Sequence, residues 1–409
     1  MQLSFPPARR ILMVDALRGF AVLAIVLVHN LEHFIFPVYP TGQPAWLNIL
    51  DKGVHHGLFA LFAGKAYAIF ALLFGLTFYI QSSNMARRGG DFGYRFLWRM
   101  VLLLVFATLN AAFFPAGDVL LLFAVVSPVL FLTRNWGDKA LLCAAVFFLL
   151  QPMELYHYVA YVVDPSHRLP DLQVGNMYTE VASYTMAGDF TDFVLCNITL
   201  GQKASLLWAV NAGRFSQTAG LFLLGCYIGR KHLFVTNADL HDATSEERHR
   251  ACSNNILWLR VLIVAAIAFG PLYVFKEQVM LATQQQQPVV AQSIGTVLDM
   301  WQKLAFTFVL VASFVLLYRT PAFRSFTSGL CLYGKMSLTN YISQSVIGAL
   351  IYFPFGLYLA PYCGSTLSLL IGIGTFLLQM AFCKWWLANH KQGPLEMLWH
   401  KWTWMGSRR

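Results

Sequence analysis

The sequence is poor in charged side chains. Aspartate, glutamate, lysine and arginine make up 12% of its 409 residues, whereas a soluble globular domain usually carries about 25%. The few charges stand between long apolar runs, and 57% of all residues are hydrophobic. This composition argues against an ordinary soluble domain and predicts a protein that crosses a membrane several times.

Cysteine pairs with metal-binding spacing are also missing. None of the seven cysteines forms a Cys-x-x-Cys pair, and most of them lie inside apolar runs. The spacing argues against a zinc ribbon or a disulfide framework and favours small, buried hydrophobic side chains. Cys196 and Cys363 both fall on the predicted outer side, but no pattern supports a bridge between them.

Long apolar windows dominate the chain instead. A membrane-spanning helix needs about 20 apolar residues, and windows of about this length predict an all-α bundle of about ten spans. The bundle forms a single integral-membrane domain, residues 1–409, with a large outer loop at 164–204 and an interfacial helix at 393–405. The windows lie near residues 17–37, 57–80, 97–116, 118–133, 139–163, 205–229, 256–275, 294–318, 337–360 and 364–388.

The basic residues indicate the orientation of this bundle. Most of the 29 lysines and arginines fall in segments that are cytoplasmic if the N-terminus is inside. The predicted outer loops keep only Lys52, Arg168, Lys203 and Lys276. This is the positive-inside asymmetry, and it predicts cytoplasmic N- and C-termini. It also accounts for the net charge of +10 without nucleic-acid binding, which we exclude.

The stretch HNLEH carries chemically active groups at the end of the first window. On a continuous helix His29, Glu32 and His33 share one face, because they stand at i, i+3 and i+4. His-x-x-Glu-His is also the inverted zinc-protease motif, but a metal would need a third ligand, such as Glu154 or His157, and access to water. We interpret His29 and Glu32 as catalytic candidates and predict no metal.

Other ionisable and amide side chains also lie within apolar windows. Because such groups are costly in hydrocarbon, we expect them to line a shared polar cavity. For Asp299 and Lys303, at i and i+4, a structural ion pair is an equally good interpretation, and Lys65 can extend toward the interface along its apolar stem. The cavity-lining residues predicted in this way are His33, Lys65, Arg214, Asp299, Lys303, Asn340 and Gln344.

The spacing of Arg18 and His29 favours acyl transfer. At 1.5 Å per residue the two residues lie about 16 Å apart along a helix, which is about half of the hydrocarbon thickness. Arg18 would then meet the phosphates of acyl-CoA at the cytoplasmic mouth. His29, deeper on nearly the same face, would act as general base toward a hydroxyl or an amine, with Glu32 orienting its ring.

Four motifs together resemble those of the YeiB-type family of bacterial inner-membrane proteins, a numbered domain of unknown function. They are DALRGFAVLAI (15–25), AIFALLFGLTF (68–78), GKMSLTNYISQS (334–345) and GPLEMLW (393–399), and the resemblance covers nearly the whole chain. Within them, Gly75 is expected to allow close helix packing. Ser337 is expected to cap a helix that starts after Gly334.

The YeiB-type family is similar to the wider transmembrane acyltransferase superfamily, which includes the acyltransferase-3 O-acetylases and the lysosomal heparan N-acetyltransferase. Acyltransferase-3 proteins carry Arg-x10-His on the first span, and Arg18 and His29 match this pattern. The resemblance implies a catalytic role for His29 and a position near acyl-CoA for Arg18.

Three functions are therefore open. The leading hypothesis is transfer of an acyl group from cytoplasmic acyl-CoA to an envelope glycan, lipid or small molecule. The alternatives are a secondary transporter, proton-coupled through His29, Glu32, Arg214 and Asp299, and a metal-dependent membrane hydrolase. The expected location is the bacterial cytoplasmic (inner) membrane. The expected partners are the lipid bilayer and the acceptor or solute, and the sequence leaves the oligomeric state open.

Overall fold

The chain folds into helices, and a computed structural model describes residues 11–114, 118–234, 245–283 and 288–405. No β-strand occurs among these residues. In chain order the α-helices are α1 (Leu12–Leu31), α2 (Ala45–Phe62), α3 (Ala66–Arg87), α4 (Gly93–Ala111), α5 (Val119–Val126), α6 (Pro128–Leu132), α7 (Asp138–Leu149), α8 (Pro152–Val163), α9 (Val174–Ala187), α10 (Phe190–Cys196), α11 (Gln202–Asn211), α12 (Arg214–Arg230), α13 (Ser245–Thr283), α14 (Pro288–Leu317), α15 (Pro321–Phe326), α16 (Ser328–Lys335), α17 (Ser337–Tyr352), α18 (Ser365–Asn389) and α19 (Pro394–Thr403).

Seven helical segments of the described chain are long and apolar enough to cross a membrane, and the pair α7 and α8, bent by 55°, would make an eighth. The all-α class is therefore confirmed, and the apolar helices support a membrane protein. The ten predicted windows do not map one to one onto these segments. The window at 118–133 is divided into α5 and α6 before Pro128, whose ring favours the first turn of a new helix. The window at 337–360 yields only the 16 residues of α17.

The segment predicted as an outer loop, residues 164–204, is largely helical. It contains α9, α10 and a π-helix (Asn197–Gly201) that leads into α11. Helix α9 has only 14 residues, and polar side chains interrupt its apolar ones, so it contains no apolar window long enough to be found by such a search. In the described chain Cys196 and Cys363 are free thiols.

Helix α1 lies at the centre of the bundle and packs against α3, α16 and α18. Glycines make its contact with α16 close from both sides. A Cβ on Gly19 would lie 2.1 Å from the carbonyl oxygen of Leu330, and a Cβ on Gly334 would lie 2.0 Å from that of Asp15. Both distances are far below van der Waals contact, so only glycine allows these two backbones to touch.

A second reciprocal glycine contact joins α3 to α12. A Cβ on Gly75 would lie 1.9 Å from the carbonyl oxygen of Phe222, and a Cβ on Gly225 would lie 1.9 Å from that of Leu72. The expected role of Gly75 in close helix packing is confirmed.

The start of α17 is capped by a side chain from the end of the chain. The predicted cap, Ser337, is wrong: it is the first residue of α17 and makes no capping hydrogen bond. Instead Oε1 of Glu396 accepts hydrogen bonds from the backbone N–H groups of Leu338 (2.7 Å) and Thr339 (3.1 Å), and Oε2 accepts one from the Thr339 hydroxyl (2.6 Å). A carboxylate is well suited to this position, because the exposed N–H groups and the helix dipole both favour negative charge.

Replacing Glu396 by alanine is expected to destabilise the protein by about 2 kcal/mol, because the donors at the start of α17 lose their acceptor. Glu396→Gln keeps an acceptor oxygen and should retain most of the stability. Thermal unfolding of the purified variants at pH 7 measures both effects. Equal melting temperatures for the alanine variant and the native protein would contradict the capping role.

The same carboxyl group should make stability depend on pH. Burial raises the pKa of Glu396 above its ordinary value of 4.5, although the hydrogen bonds from Thr339 and Leu338 oppose this. Because the folded pKa is raised, titration of this group adds stability that is fully present below 4.5 and is lost as the pH rises through the folded pKa, whereas its capping hydrogen bonds remain. Melting temperatures from pH 4 to pH 8 should show this loss in the native protein but not in Glu396→Gln.

Helix α19, predicted as an interfacial helix, packs on α4. The guanidinium of Arg99 lies 4.1 Å from the ring centroid of Trp399, and that of Arg95 lies 4.3 Å from the ring centroid of Trp404. The indole of Trp399 also donates a hydrogen bond to the Arg99 carbonyl (3.2 Å). Arginine side chains thus attach this aromatic segment to the bundle through cation–π contacts.

Candidate functional site

A cavity of about 890 Å³ lies where α1 ends and α3, α9 and α12 begin. Its volume is in the range of small-molecule sites, about 300–1,000 Å³. Much of its surface is apolar and includes Ile25, Val28, Phe62 and Phe114. We call its polar part the polar wall, formed by His29, Glu32, Tyr67, Tyr178, Asn211 and Arg214.

Breaks in the helices place backbone N–H groups at this cavity. Left-handed glycines, Gly64 (φ 76°) and Gly213 (φ 65°), precede α3 and α12. The lining includes Ala66 and Arg214, the first residues of these helices, and Val174, the first residue of α9. Among the described residues no side chain caps any of these three helix starts. Each therefore contributes partial positive charge to the cavity.

Arg214 brings a full positive charge to the polar wall. Its guanidinium carbon lies 4.4 Å from the ring centroid of Tyr67 and 4.4 Å from that of Trp208. Among the described residues none forms an ion pair or a hydrogen bond with its side chain. Tyr67 is fixed in turn, because its hydroxyl donates to Gln217, whose amide donates to the Met300 carbonyl (3.1 Å). Aromatic contacts thus hold the guanidinium and leave its N–H groups available.

His29 faces the same cavity from α1. Its ring packs near Phe34, Phe114 and Tyr341, with ring centroids 5.6, 4.7 and 6.2 Å away. Its Nδ1 atom is buried and has no hydrogen-bond partner in the described part of the chain. A ring nitrogen in such apolar surroundings is a strong candidate for contact with a ligand, because a buried polar atom is costly unless it is paired.

HNLEH does not form one helical face. Helix α1 ends at Leu31, and His33, Phe34 and Ile35 all adopt left-handed φ values (45°, 56° and 65°). This turn directs His33 away from the cavity. It stacks on Tyr352 (4.5 Å between centroids) and hydrogen-bonds to the Ser368 hydroxyl (2.9 Å). The expectation that the two histidines share a face is wrong, because a sequence period assumes that the helix continues.

Lys65, Asp299 and Lys303 form a separate cluster beside the cavity. Asp299 forms ion pairs with both Lys303 and Lys276, and Lys65 donates to the carbonyl oxygens of Phe59 (3.3 Å) and Ala60 (2.9 Å). None of the three predicted residues is among those that line the cavity. The predicted structural ion pair between Asp299 and Lys303 is therefore confirmed.

Asn340 and Gln344 also lie elsewhere. Asn340 is buried and donates to the Tyr333 carbonyl (3.0 Å), while Gln379 donates to the Asn340 carbonyl (2.9 Å). The amide of Gln344 is buried without a hydrogen-bond partner among the described residues. Neither side chain lines the cavity.

Arg18 does not reach the cavity either. Its guanidinium forms an ion pair with Asp15 (3.3 Å) and donates to the Thr77 hydroxyl (2.9 Å). Because these contacts hold it in place and it is not part of the lining, Arg18 provides no phosphate site next to His29. The arrangement therefore does not fit acyl-CoA bound between Arg18 and His29.

The predicted third ligands for a metal lie apart from His29. Glu154 is buried on α8, and Nδ1 of His157 lies 3.0 Å from Nε2 of His167. Within the described ranges no three His, Cys, Asp or Glu side chains come together in a way that would hold a metal ion.

Comparisons with known proteins support the resemblance. Residues 248–406 match a family described as a protein of unknown function (DUF418). The chain is 25% identical to YxaH of Bacillus subtilis over 97% of its own length and 94% of the relative's. It is 24% identical to YeiB of Escherichia coli, with 95% of each chain covered. The chain is therefore similar to these YeiB-like proteins over nearly its whole length.

The names of these YeiB-like relatives assign no activity. YxaH and YeiB are both described as uncharacterized, as is a 39.9 kDa protein of Bacillus acidopullulyticus that is 24% identical over 96% of this chain and 94% of its own length. No solved structure matches the chain.

The structure gives physical reasons for the motifs that carry the YeiB-like resemblance. Gly19 of the first motif packs on α16, and Gly334 of the third packs on α1. Thr339 of the third motif is bonded to Glu396 of the fourth. These motifs therefore build the framework around α1 rather than the polar wall.

Sequence reasoning missed the aromatic residues of the site. Tyr67, Tyr178 and Trp208 line the cavity, but in the sequence they look like any of the aromatic residues that make up 15% of the chain. Trp208 lies near Arg214 only because α11 ends at Asn211 and α12 starts at Arg214, and no helical period would pair residues six positions apart. The one available signal was Gly213, a glycine just before a charge in an apolar window.

Proposed function

We propose that this chain is a membrane acyltransferase that acylates a hydroxyl or an amine of an acceptor bound in the cavity. The observation that carries the proposal is that His29 lines a cavity large enough for a substrate, while its buried Nδ1 atom has no hydrogen-bond partner among the described residues. A neutral imidazole in this position suits a general base.

The reaction follows from the chemistry of these groups. As the acceptor oxygen or nitrogen attacks the carbonyl carbon of the donor, His29 takes its proton. The bond between the carbonyl carbon and the leaving group then breaks, and the proton passes from His29 to the leaving group. Arg214 positions the acceptor through any anionic group that it carries.

The donor is defined by its chemistry, as an activated ester or thioester. Because Arg18 is engaged by Asp15 and Thr77, it does not bind the donor in this reaction. The proposal includes a bacterial inner membrane, about ten spans and cytoplasmic termini, and the basic residues of the sequence support this orientation. The end of α1 and the cavity then face the outer half of the bilayer.

The test is transfer by the purified protein. Protein in detergent is mixed with a 13C-labelled acyl thioester or acyl ester and with lipid and glycan fractions of the bacterial envelope, and the products are analysed by mass spectrometry. A labelled acyl group on a hydroxyl or an amine is the expected result. The matched control is the variant Arg168→Ala, which changes an exposed residue outside the cavity and should transfer normally. Absence of any labelled product with every fraction would overturn the proposal.

A second candidate function, secondary transport, is favoured by one specific observation. Two interruptions of the helices, at Gly64 and Gly213, border the cavity. Discontinuous helices of this kind often form substrate sites in transporters. Proteoliposomes assayed without and with an acyl donor distinguish the two functions. Uptake of a solute against its gradient would favour transport, whereas product formation without uptake would favour transfer.

A further inference from the structure

The polar wall carries an acidic and a basic side chain that do not contact each other directly. Glu32 and Arg214 both line the cavity, but in the part of the chain described here no ion pair joins them, and no residue donates a hydrogen bond to the Glu32 carboxylate. Unpaired charges in such surroundings are costly. We propose that the ligand is a zwitterionic amphiphile, whose anionic oxygen group binds at Arg214 and whose primary ammonium binds at Glu32.

The anionic half of the ligand is recognised by the groups around Arg214. The guanidinium stacks over Tyr67 and Trp208, which fixes its plane and leaves its donors for a phosphate or a carboxylate. Two uncapped helix starts, those of α3 and α12, lie on the same wall and add positive potential. Arg214 is itself the first residue of α12, so side chain and helix dipole act together.

The cationic half is recognised at Glu32. This residue directly follows the last residue of α1, where the helix dipole is negative and favours a cation. His29 lies one turn earlier on the same helix and faces the same cavity. An ammonium group held at Glu32 is therefore within reach of the imidazole that we propose as the base.

The apolar surface explains why the ligand is an amphiphile. Ile25, Val28, Phe62 and Phe114 line the cavity together with the charged groups. A purely polar solute would leave this surface in contact with water, whereas a hydrocarbon chain would cover it. The shared chemistry is a phosphate and a primary amine close to an apolar chain, as in an aminophospholipid headgroup.

Only one part of this inference, the acylation of the bound amine, rests on the proposed function. In that reaction Glu32 takes one proton from the ammonium and releases it to water, and His29 takes a second as the nitrogen attacks. The new bond joins nitrogen to the carbonyl carbon, and the bond from that carbon to the oxygen or sulfur of an ester or thioester donor breaks. His29 returns its proton to that leaving group, so the products are an amide and an alcohol or thiol.

Binding is tested without any acyl donor. The purified full chain in detergent is titrated with phosphatidylethanolamine, phosphatidylcholine and phosphatidylglycerol of the same acyl chains, and with soluble O-phosphoethanolamine, by native mass spectrometry and calorimetry. We expect phosphatidylethanolamine to bind about tenfold more tightly than the other two lipids, which lack a primary amine. Tight binding of O-phosphoethanolamine would show that the source is a free headgroup and not a lipid. Equal affinities for all three lipids would overturn the inference.

Two variants separate the halves of the site. Arg214→Gln should weaken all of the phosphate-bearing probes by about tenfold or more, whereas Glu32→Gln should reduce phosphatidylethanolamine to the level of phosphatidylcholine. Arg168→Gln, an arginine exposed outside the cavity, is the matched control and should bind normally. Arg214→Lys keeps the charge and should retain part of the affinity. This result would show that the loss in Arg214→Gln reflects lost recognition and not misfolding. Unchanged selectivity in Glu32→Gln would contradict the role of Glu32.

The inference and the proposed function can fail separately. Selective binding with no acylated amine after an acyl donor is added would overturn transfer and leave the ligand class standing. Acylation of a hydroxyl compound, with no preference for phosphatidylethanolamine, would support transfer and overturn the zwitterionic ligand.

Discussion

Replacement of His29 by glutamine is expected to lower the rate of acyl transfer by about 10²- to 10⁴-fold, the usual contribution of a general base. Glutamine retains a polar group of similar length but cannot accept a proton at neutral pH. Because the Nδ1 atom of His29 makes no hydrogen bond within the described residues, the substitution removes no structural contact made by that atom. The rate is measured as labelled product per minute at saturating acceptor.

A second histidine supplies the control for this experiment. His56 lies on α2, where its Nδ1 pairs with the Lys52 carbonyl (2.8 Å), and it is not part of the cavity lining. His56→Gln should keep the native rate. If His29→Gln retained more than about a tenth of the native rate with a native melting temperature, His29 would not be the general base.

Replacement of Gly75 by valine is expected to prevent stable folding, with a loss well above the 1–3 kcal/mol of ordinary overpacking. The reason is that the new Cβ would lie 1.9 Å from a backbone carbonyl oxygen, that of Phe222. A backbone oxygen cannot rotate away as a flexible side chain can, so α3 and α12 would have to separate. The yield of monodisperse protein in size-exclusion chromatography and its melting temperature measure the effect.

Gly374 is the matched control for this substitution. It lies within α18, and apart from the adjacent backbone of α18 itself no atom of the described chain lies within 4 Å of the position where its Cβ would be. Gly374→Val should therefore change stability by no more than about 1 kcal/mol, in line with helix propensity. A native yield and melting temperature for Gly75→Val would show that the two helices do not pack through this glycine.

The sequence predicted the features that depend on local pattern. The apolar windows predicted an all-α chain. Gly75 was predicted to permit close packing because a small residue within a span lets two helix backbones approach each other. His29, Glu32 and Arg214 were chosen because polar groups are costly in hydrocarbon, and the structure places all three on one cavity.

The remaining features depend on contacts between distant parts of the chain. The helix that carries His29 ends at Leu31, and the left-handed turn at His33 is compensated by Tyr352 and Ser368, more than 300 residues away. The cap of α17 comes from Glu396, which no local rule for helix starts would examine. In the sequence Arg18 looked available for a phosphate, because its hydrogen-bond partner Thr77 lies on a different helix, α3.

The central position of α1 has a consequence for biogenesis. Its closest neighbours include α16 and α18, which the ribosome completes about 300 residues later, an interval of tens of seconds at about 5–20 residues per second. Through that interval α1 lacks the surfaces that bury Asp15 and Asn30 in the folded chain, so these polar side chains stay without their final surroundings until the C-terminal helices are made. The C-terminal stretch is equally dependent, since without α1 the groove at Gly334 is left open.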